Sequence, residues 1–213
     1  MREAVSSRRG VGTAPYGGPV GVMDEAEQVA PGSLTAWHDW LRGHHGDARG
    51  VWLEMSARVA EGDDALSYEN AVCEALCWGW IDGRVRGAAD GRGAAIWMSP
   101  RRRGSAWAAS NRARVARLVE EGRMRQPGQA VVDAARADGS WTVLVGPEQG
   151  EEPDALRAGL DADPAARAFW DALPPSARLF ALTQLATAKR EPTRLSRIEK
   201  LLAQCRAGER PDR

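Results

Sequence analysis

"ALCWGWIDGRVRG", residues 75–87, reads as the passage from a helix into a strand. Its first half continues an apolar helical stripe. Val72, Cys73, Leu76, Cys77 and Trp80 recur at helical spacing behind Ser67, a good N-cap residue. Gly79 is placed to end that helix, since a helix commonly stops at a glycine in the left-handed region. The second half, "WIDGRVR", then reads as a strand. "AAIWM" (94–98) reads as its neighbour, reached through the turn-rich "GAADGRG".

On the N-terminal side, Ser33 caps a helix "LTAWHDWLRGHH" with Leu34, Trp37 and Leu41 on one face, and "GVWLEMSA" (50–57) reads as a strand before the polar loop "EGDDA". From about residue 106 the pattern is helical, with segments predicted over 106–121, 126–138, 153–161, 164–172, 175–189 and 192–207. Pro127, Pro153, Pro164, Pro175 and Pro192 fall near the predicted starts, where a missing N–H costs nothing. The predicted class is α+β: a small antiparallel β-sheet with helices in the N-terminal half, then a helical C-terminal half. Residues 1–32 read as a disordered extension, 33–207 as the domain and 208–213 as a tail.

Composition narrows the function classes. With 29 basic and 29 acidic residues, the chain has no global pull toward nucleic acid or membrane. Nine tryptophans against two tyrosines and two phenylalanines demand burial, stacking or an interface. Cys73, Cys77 and Cys205 form no CxxC pair and fit a reducing compartment. No run of 18 apolar residues offers a membrane span, and "SSRRGVGTAPYGGPVG" lacks the apolar centre of a secretory signal. A soluble, cytoplasmic protein is expected. His38, His44 and His45 lack metal-site spacing, so no metal and no cofactor are implied. No P-loop, GxGxxG after a strand, or GxSxG is present.

Charge is uneven along the chain. Eleven arginines lie between Arg84 and Arg125, whereas 61–82 holds six acids and no base, so the two regions are expected to neutralise each other in part. An arginine-rich helix is ordinarily a solvated face. Its alternative is a site for phosphate, carboxylate or nucleic acid, which guanidinium serves with a planar donor fork. Asn111 falls on the stripe of Trp107, Val115 and Leu118, where it either meets a neighbouring loop or points into a pocket. In "TAKREPTRLSRI", Thr187, Lys189, Arg190, Thr193, Arg194 and Arg197 surround a helix start near Pro192, either as a basic surface or as an anion site. Asp82 either caps a turn, pairs with an arginine of 101–103, or serves as a general base.

Five blocks, "ALCWGWIDG", "SPRRRGSAW…N", "LVEEGRM", "DGSW" and "AKREPTRLSRI", in this order and spacing, resemble the bacteriocin-protection family, also called YdeI/OmpD-associated. The resemblance runs from about residue 33 to residue 207. Its motif positions here include Trp80, Asp82, Arg101, Arg102, Ser105, Trp107, Asn111, Lys189, Arg190, Thr193 and Arg194. Ala108 departs from the family's usual serine, Arg103 and Gly104 replace a Pro/Lys-like pair, and "AAIWM" is more apolar than its counterpart.

The resemblance brings no catalytic residues with it. The concentration of polar and aromatic residues in three blocks separated in sequence points instead to a binding protein in which those positions converge on one polar cleft, with Trp80 and Trp107 as walls, Asp82 and Asn111 as hydrogen-bonding groups and the cations attracting a small anion. The alternatives are an enzyme for a phosphorylated or carboxylated metabolite, with Asp82 or Lys189 as acid/base, and nucleic-acid binding through residues 101–125. Catalysis is the less favoured reading, and nucleic acid the less favoured partner.

Overall fold

A computed structural model describes residues 23, 25–56, 64–88 and 93–211. The chain divides into two compact units: residues 1–103 with 113–137, and residues 104–112 with 138–213. The division falls inside a helix that starts at Ala109.

The first unit holds a four-stranded sheet: β1 (Gln28–Val29), β2 (Val51–Ser56), β3 (Trp80–Gly87) and β4 (Gly93–Pro100), ordered β1-β2-β4-β3. β4 pairs antiparallel with both β2 and β3, as expected for the hairpin. β1 runs parallel to β2, so the sheet is mixed where an antiparallel one was expected. The reason is α1 (Leu34–His44), which lies between β1 and β2 in the chain and returns it to the same end of the sheet. The described part of the stretch read as an extension thus enters the fold. Val29 is buried, and the Trp52 indole N–H donates to the Met23 carbonyl. The rest of that stretch, residues 1–22 and 24, lies outside the described residues, as do most of the loops "EGDDA" and "GAADGRG".

Two local rules set the helices of this unit. Ser33 accepts from the Ala36 N–H, and Ser67 from the Asn70 N–H at the head of α2 (Tyr68–Cys77), the N-cap bonds expected of serine. Gly79, at φ +78°, then turns the chain from α2 into β3. Trp37 donates from its indole to the Ala71 carbonyl, tying α1 to α2, and stacks on Trp40 at 5.3 Å. Trp40 meets Trp80 edge-on at 5.7 Å. On the sheet, Trp52 and Trp97 pair in register and enclose Ala95 with Met23 and Ala26. Leu53, Ile96 and Met98, which alternate with them, are also buried. The stripe of α4 (Gln126–Ala137) approaches α2 so closely that Gly128 has no room for a side chain.

The second unit is helical: the first turn of α3 (Ala109–Glu120), α5 (Val145–Glu148), α6 (Asp154–Asp161), α7 (Pro164–Ala172), α8 (Pro175–Ala186) and α9 (Glu191–Ala207). Leu156, Leu160, Trp170, Leu182, Leu185 and Leu202 belong to its core. Asp163 caps α7 with its carboxylate on the Ala165 and Ala166 N–H groups, and Pro164 occupies the first helical position. Gly208, at φ +68°, closes α9. Among the described residues no helix is long and apolar enough to cross a membrane.

Candidate functional site

The eleven sequence-derived positions separate by unit. Trp80, Asp82, Arg101 and Arg102 belong to the first, and Ser105, Trp107, Asn111, Lys189, Arg190, Thr193 and Arg194 to the second.

In the first unit Trp80 is a core residue. Only 1% of it is exposed, and its indole N–H donates to the His45 carbonyl at 3.0 Å. Asp82 is half-buried on β3, beside a bulge between Asp82 and Val85, and accepts a 2.6 Å hydrogen bond from the Tyr68 hydroxyl. Tyr68 is a partner that the sequence did not single out. That hydrogen bond, reinforced by burial and by the Asp82 charge, pushes the phenol up to about 12. Arg101 follows β4, with its backbone N–H on the Gly79 carbonyl. Burial pushes its guanidinium down to about 10, and the Asp82 charge opposes that shift. Arg102 is exposed.

The expected neutralisation between the acidic stretch and the arginines is visible here. Arg114 holds Glu69 through two nitrogens, with Nη2 at 2.7 Å and Nε at 3.0 Å from one oxygen, and Arg117 adds a contact at 3.1 Å. Arg123 reaches the buried Glu74 at 3.4 Å. Glu74 also takes the His38 imidazole at 2.7 Å and the Trp78 indole N–H at 3.1 Å. The Arg114 hydrogen bonds hold the Glu69 carboxyl down near 2.

In the second unit, three of the sequence blocks meet. The Trp107 N–H donates to the Ser140 carbonyl, and the Trp107 ring lies 4.8 Å from that of Trp141. Trp107 is 2% exposed, so it too is core. Asn111 is half-buried within the first turns of α3. The N-terminus of α3 is already served by an acid of this chain: Glu148 accepts from the Ala109 N–H at 2.6 Å and from Arg112 at 2.6 Å.

The other helix start is arranged differently. α9 has Arg190 as its N-cap, with no side-chain capping hydrogen bond. Lys189 and Arg190 are exposed and form no ion pair among the described residues, whereas Arg194 pairs with Glu191. Thr193 sits half-buried in the first turn. The Gly104 turn comes beside this end: a β-carbon added there would stand 3.8 Å from Lys189 Nζ and 4.0 Å from an Asp138 carboxylate oxygen. Asp138 is held in turn by the Ser140 N–H at 3.0 Å. Ser105, next to that turn, is half-buried. Among the described residues no cluster of His, Cys, Asp and Glu is arranged to hold a metal ion.

Comparison with known proteins divides the chain in a similar way. Residues 150–208 match the family described as Bacteriocin-protection, YdeI or OmpD-Associated. Of the five blocks only "AKREPTRLSRI" falls in that span, so the resemblance is shown for the helical C-terminal part alone, a shorter span than expected. Residues 29–131 match a Domain of unknown function (DUF8412). No curated protein and no solved structure matches the chain.

Proposed function

We propose that this bacteriocin-protection-like protein acts in the cytoplasm by binding, and that it holds a small anion at the start of α9. The observation that carries the proposal is the helix start itself: it has no side-chain capping hydrogen bond, the flanking Lys189 and Arg190 form no ion pair among the described residues, and Lys189 reaches the Gly104 turn. The first N–H groups of a helix have no intrahelical acceptor, and the helix dipole adds positive potential there. Thr193, the third residue of α9, supplies a hydroxyl, and Arg194 a second guanidinium once Glu191 yields it. Asp138 also borders the Gly104 turn, and its negative charge favours a compact, strongly charged ligand such as a phosphate or polycarboxylate.

The test is thermal denaturation of the full chain in low salt with inorganic phosphate and with citrate. A ligand that binds only the folded state raises the melting temperature with its concentration. The proposal expects such a rise, its loss in a Lys189→Gln/Arg190→Gln double variant, and its enhancement in Asp138→Asn. A double variant that responds as the parent does, or a parent that responds to neither anion, sinks it.

A further inference from the structure

Further along α9 lies a feature that the proposed anion site does not account for. A groove of about 360 Å³ opens between α8 and α9 in the helical unit. Its floor is apolar: Ala181, Leu185 and Leu201 are buried core residues, with Phe180 and Pro211 at the sides. Its rim is polar and of one sign. Arg197 and Lys200 stand one turn apart on α9, the amides of Gln184 and Gln204 complete the rim, and among the described residues no acidic one lines it. Arg197 and Lys200 are both exposed.

From this groove we infer a second site, which takes an amphipathic organic anion: a short hydrocarbon or ring body bearing a single carboxylate. Three observations converge. The volume is that of a small-molecule site rather than of a track for a long peptide or helix. The apolar floor stabilises a hydrophobic body by removing it from water. The paired cations at one rim provide for a single negative head, and they stand over the same floor. Arg197 is also positioned in advance, because one of its N–H groups donates to the Gln184 carbonyl on α8. A guanidinium has five N–H donors, so that bond orients the group and leaves others for a carboxylate. Lys200 forms no ion pair among the described residues, so its ammonium is not neutralised from within.

The groove is distinct from the start of α9 and does not depend on an anion binding there. Isothermal titration of the full chain with octanoate tests it, with octylamine and methyl octanoate as partners of the same body and different head. Octanoate is expected to bind, and the amine and ester to bind at least about tenfold more weakly, as the loss of charged hydrogen bonds implies. Lys200→Glu, at an exposed position, is expected to weaken octanoate by a similar factor while circular dichroism stays unchanged. Lys189→Gln/Arg190→Gln is expected to leave octanoate binding intact, and this separates the two sites. Equal binding of the acid and the amine, unchanged binding in Lys200→Glu, or no octanoate binding at all overturns the inference. So does concentration-dependent self-association that Lys200→Glu abolishes while octanoate fails to bind, because the groove would then belong to a second copy.

Discussion

Glu148 and Arg112 meet at 2.6 Å beside the first turn of α3, and the other Glu148 oxygen accepts the Ala109 N–H. Arg112 also donates to the Trp107 carbonyl, so the chain entering the helix, its first N–H and its first arginine are held by one carboxylate. An arginine-rich segment that reads as an open anion site therefore carries its own anion at this point. Both side chains are only about one-fifth exposed, 18% for Arg112 and 20% for Glu148, so water screens the pair weakly.

Replacing Glu148 by alanine removes a helix-capping acceptor and a charge-assisted hydrogen bond together. The expected loss is about 2 kcal/mol, and Glu148→Gln, which keeps one acceptor oxygen, should lose about half of that. Urea denaturation followed by circular dichroism checks both. Equal stability of Glu148→Ala and the parent would show that the contact contributes nothing to folding.

Glu69 makes stability depend on acid. Its carboxyl is held near 2 by the Arg114 hydrogen bonds, below the ordinary value of 4.5. A depressed folded-state value means that the stabilisation is complete above 4.5 and is lost as pH falls toward 2. Glu69 is 44% exposed, so solvent screening limits the gain to about 1 kcal/mol. Glu69→Gln is therefore expected to be less stable than the parent at neutral pH. The gap should close progressively between pH 4.5 and pH 2 in a series of urea titrations. A gap that does not change with pH would assign the effect to packing.

Much of this arrangement was legible in the sequence, and the exceptions have physical causes. Ser33, Ser67 and Gly79 mark their helix ends because capping is a local property of one residue and its next few neighbours. The pairing of the acidic stretch with the arginines was readable from charge alone, since opposite charges in one compact unit find each other. β1 and α5 were not readable: two and four residues are too few to show a period. The direction of β1 follows from a crossover, which is a tertiary fact. Trp80 and Trp107 read as cleft walls because a tryptophan in a motif looks the same whether it is buried or stacked on a ligand, and only their burial separates the cases. Tyr68 escaped notice because its partner Asp82 is distant in sequence and no spacing rule links a helix start to a strand. Of the cations above the groove, Arg197 read as part of the basic cluster at a helix start and Lys200 stood in no motif, since an apolar floor beneath them is invisible to composition.

Gly128 is expected to tolerate no side chain at all. A β-carbon there would lie 2.3 Å from the Cys77 carbonyl oxygen and 2.6 Å from that of Leu76, and both atoms are backbone that cannot step aside. Gly128→Ala should cost about 3 kcal/mol through overpacking between α2 and α4. Gly122, at φ +66° with nothing within 4 Å of its added carbon, provides the comparison: its alanine variant pays only for the left-handed backbone, about 1 kcal/mol. Melting temperatures should fall in that order. If Gly122→Ala is the worse of the two, the close approach of α4 to α2 is not what requires glycine at 128.

The three thiols should be silent in the folded protein. Cys73, Cys77 and Cys205 are all free and buried. Burial, the largest effect on each, pushes every one of them above the ordinary thiol value, and Cys77 up to about 12, where the neighbouring Glu74 charge adds to it. Cys73 is the informative case. Its sulfur lies 3.1 Å from the Arg117 guanidinium, a neighbour that favours thiolate, yet burial and the Glu69 charge act the other way. Because the thiolate is the reactive form, Ellman's reagent at pH 8 should titrate essentially no thiol in the native protein and all three after urea denaturation. Rapid native reaction of one thiol, abolished by Cys73→Ser, would mean that Arg117 outweighs burial and that this cysteine is a reactive group rather than a part of the core.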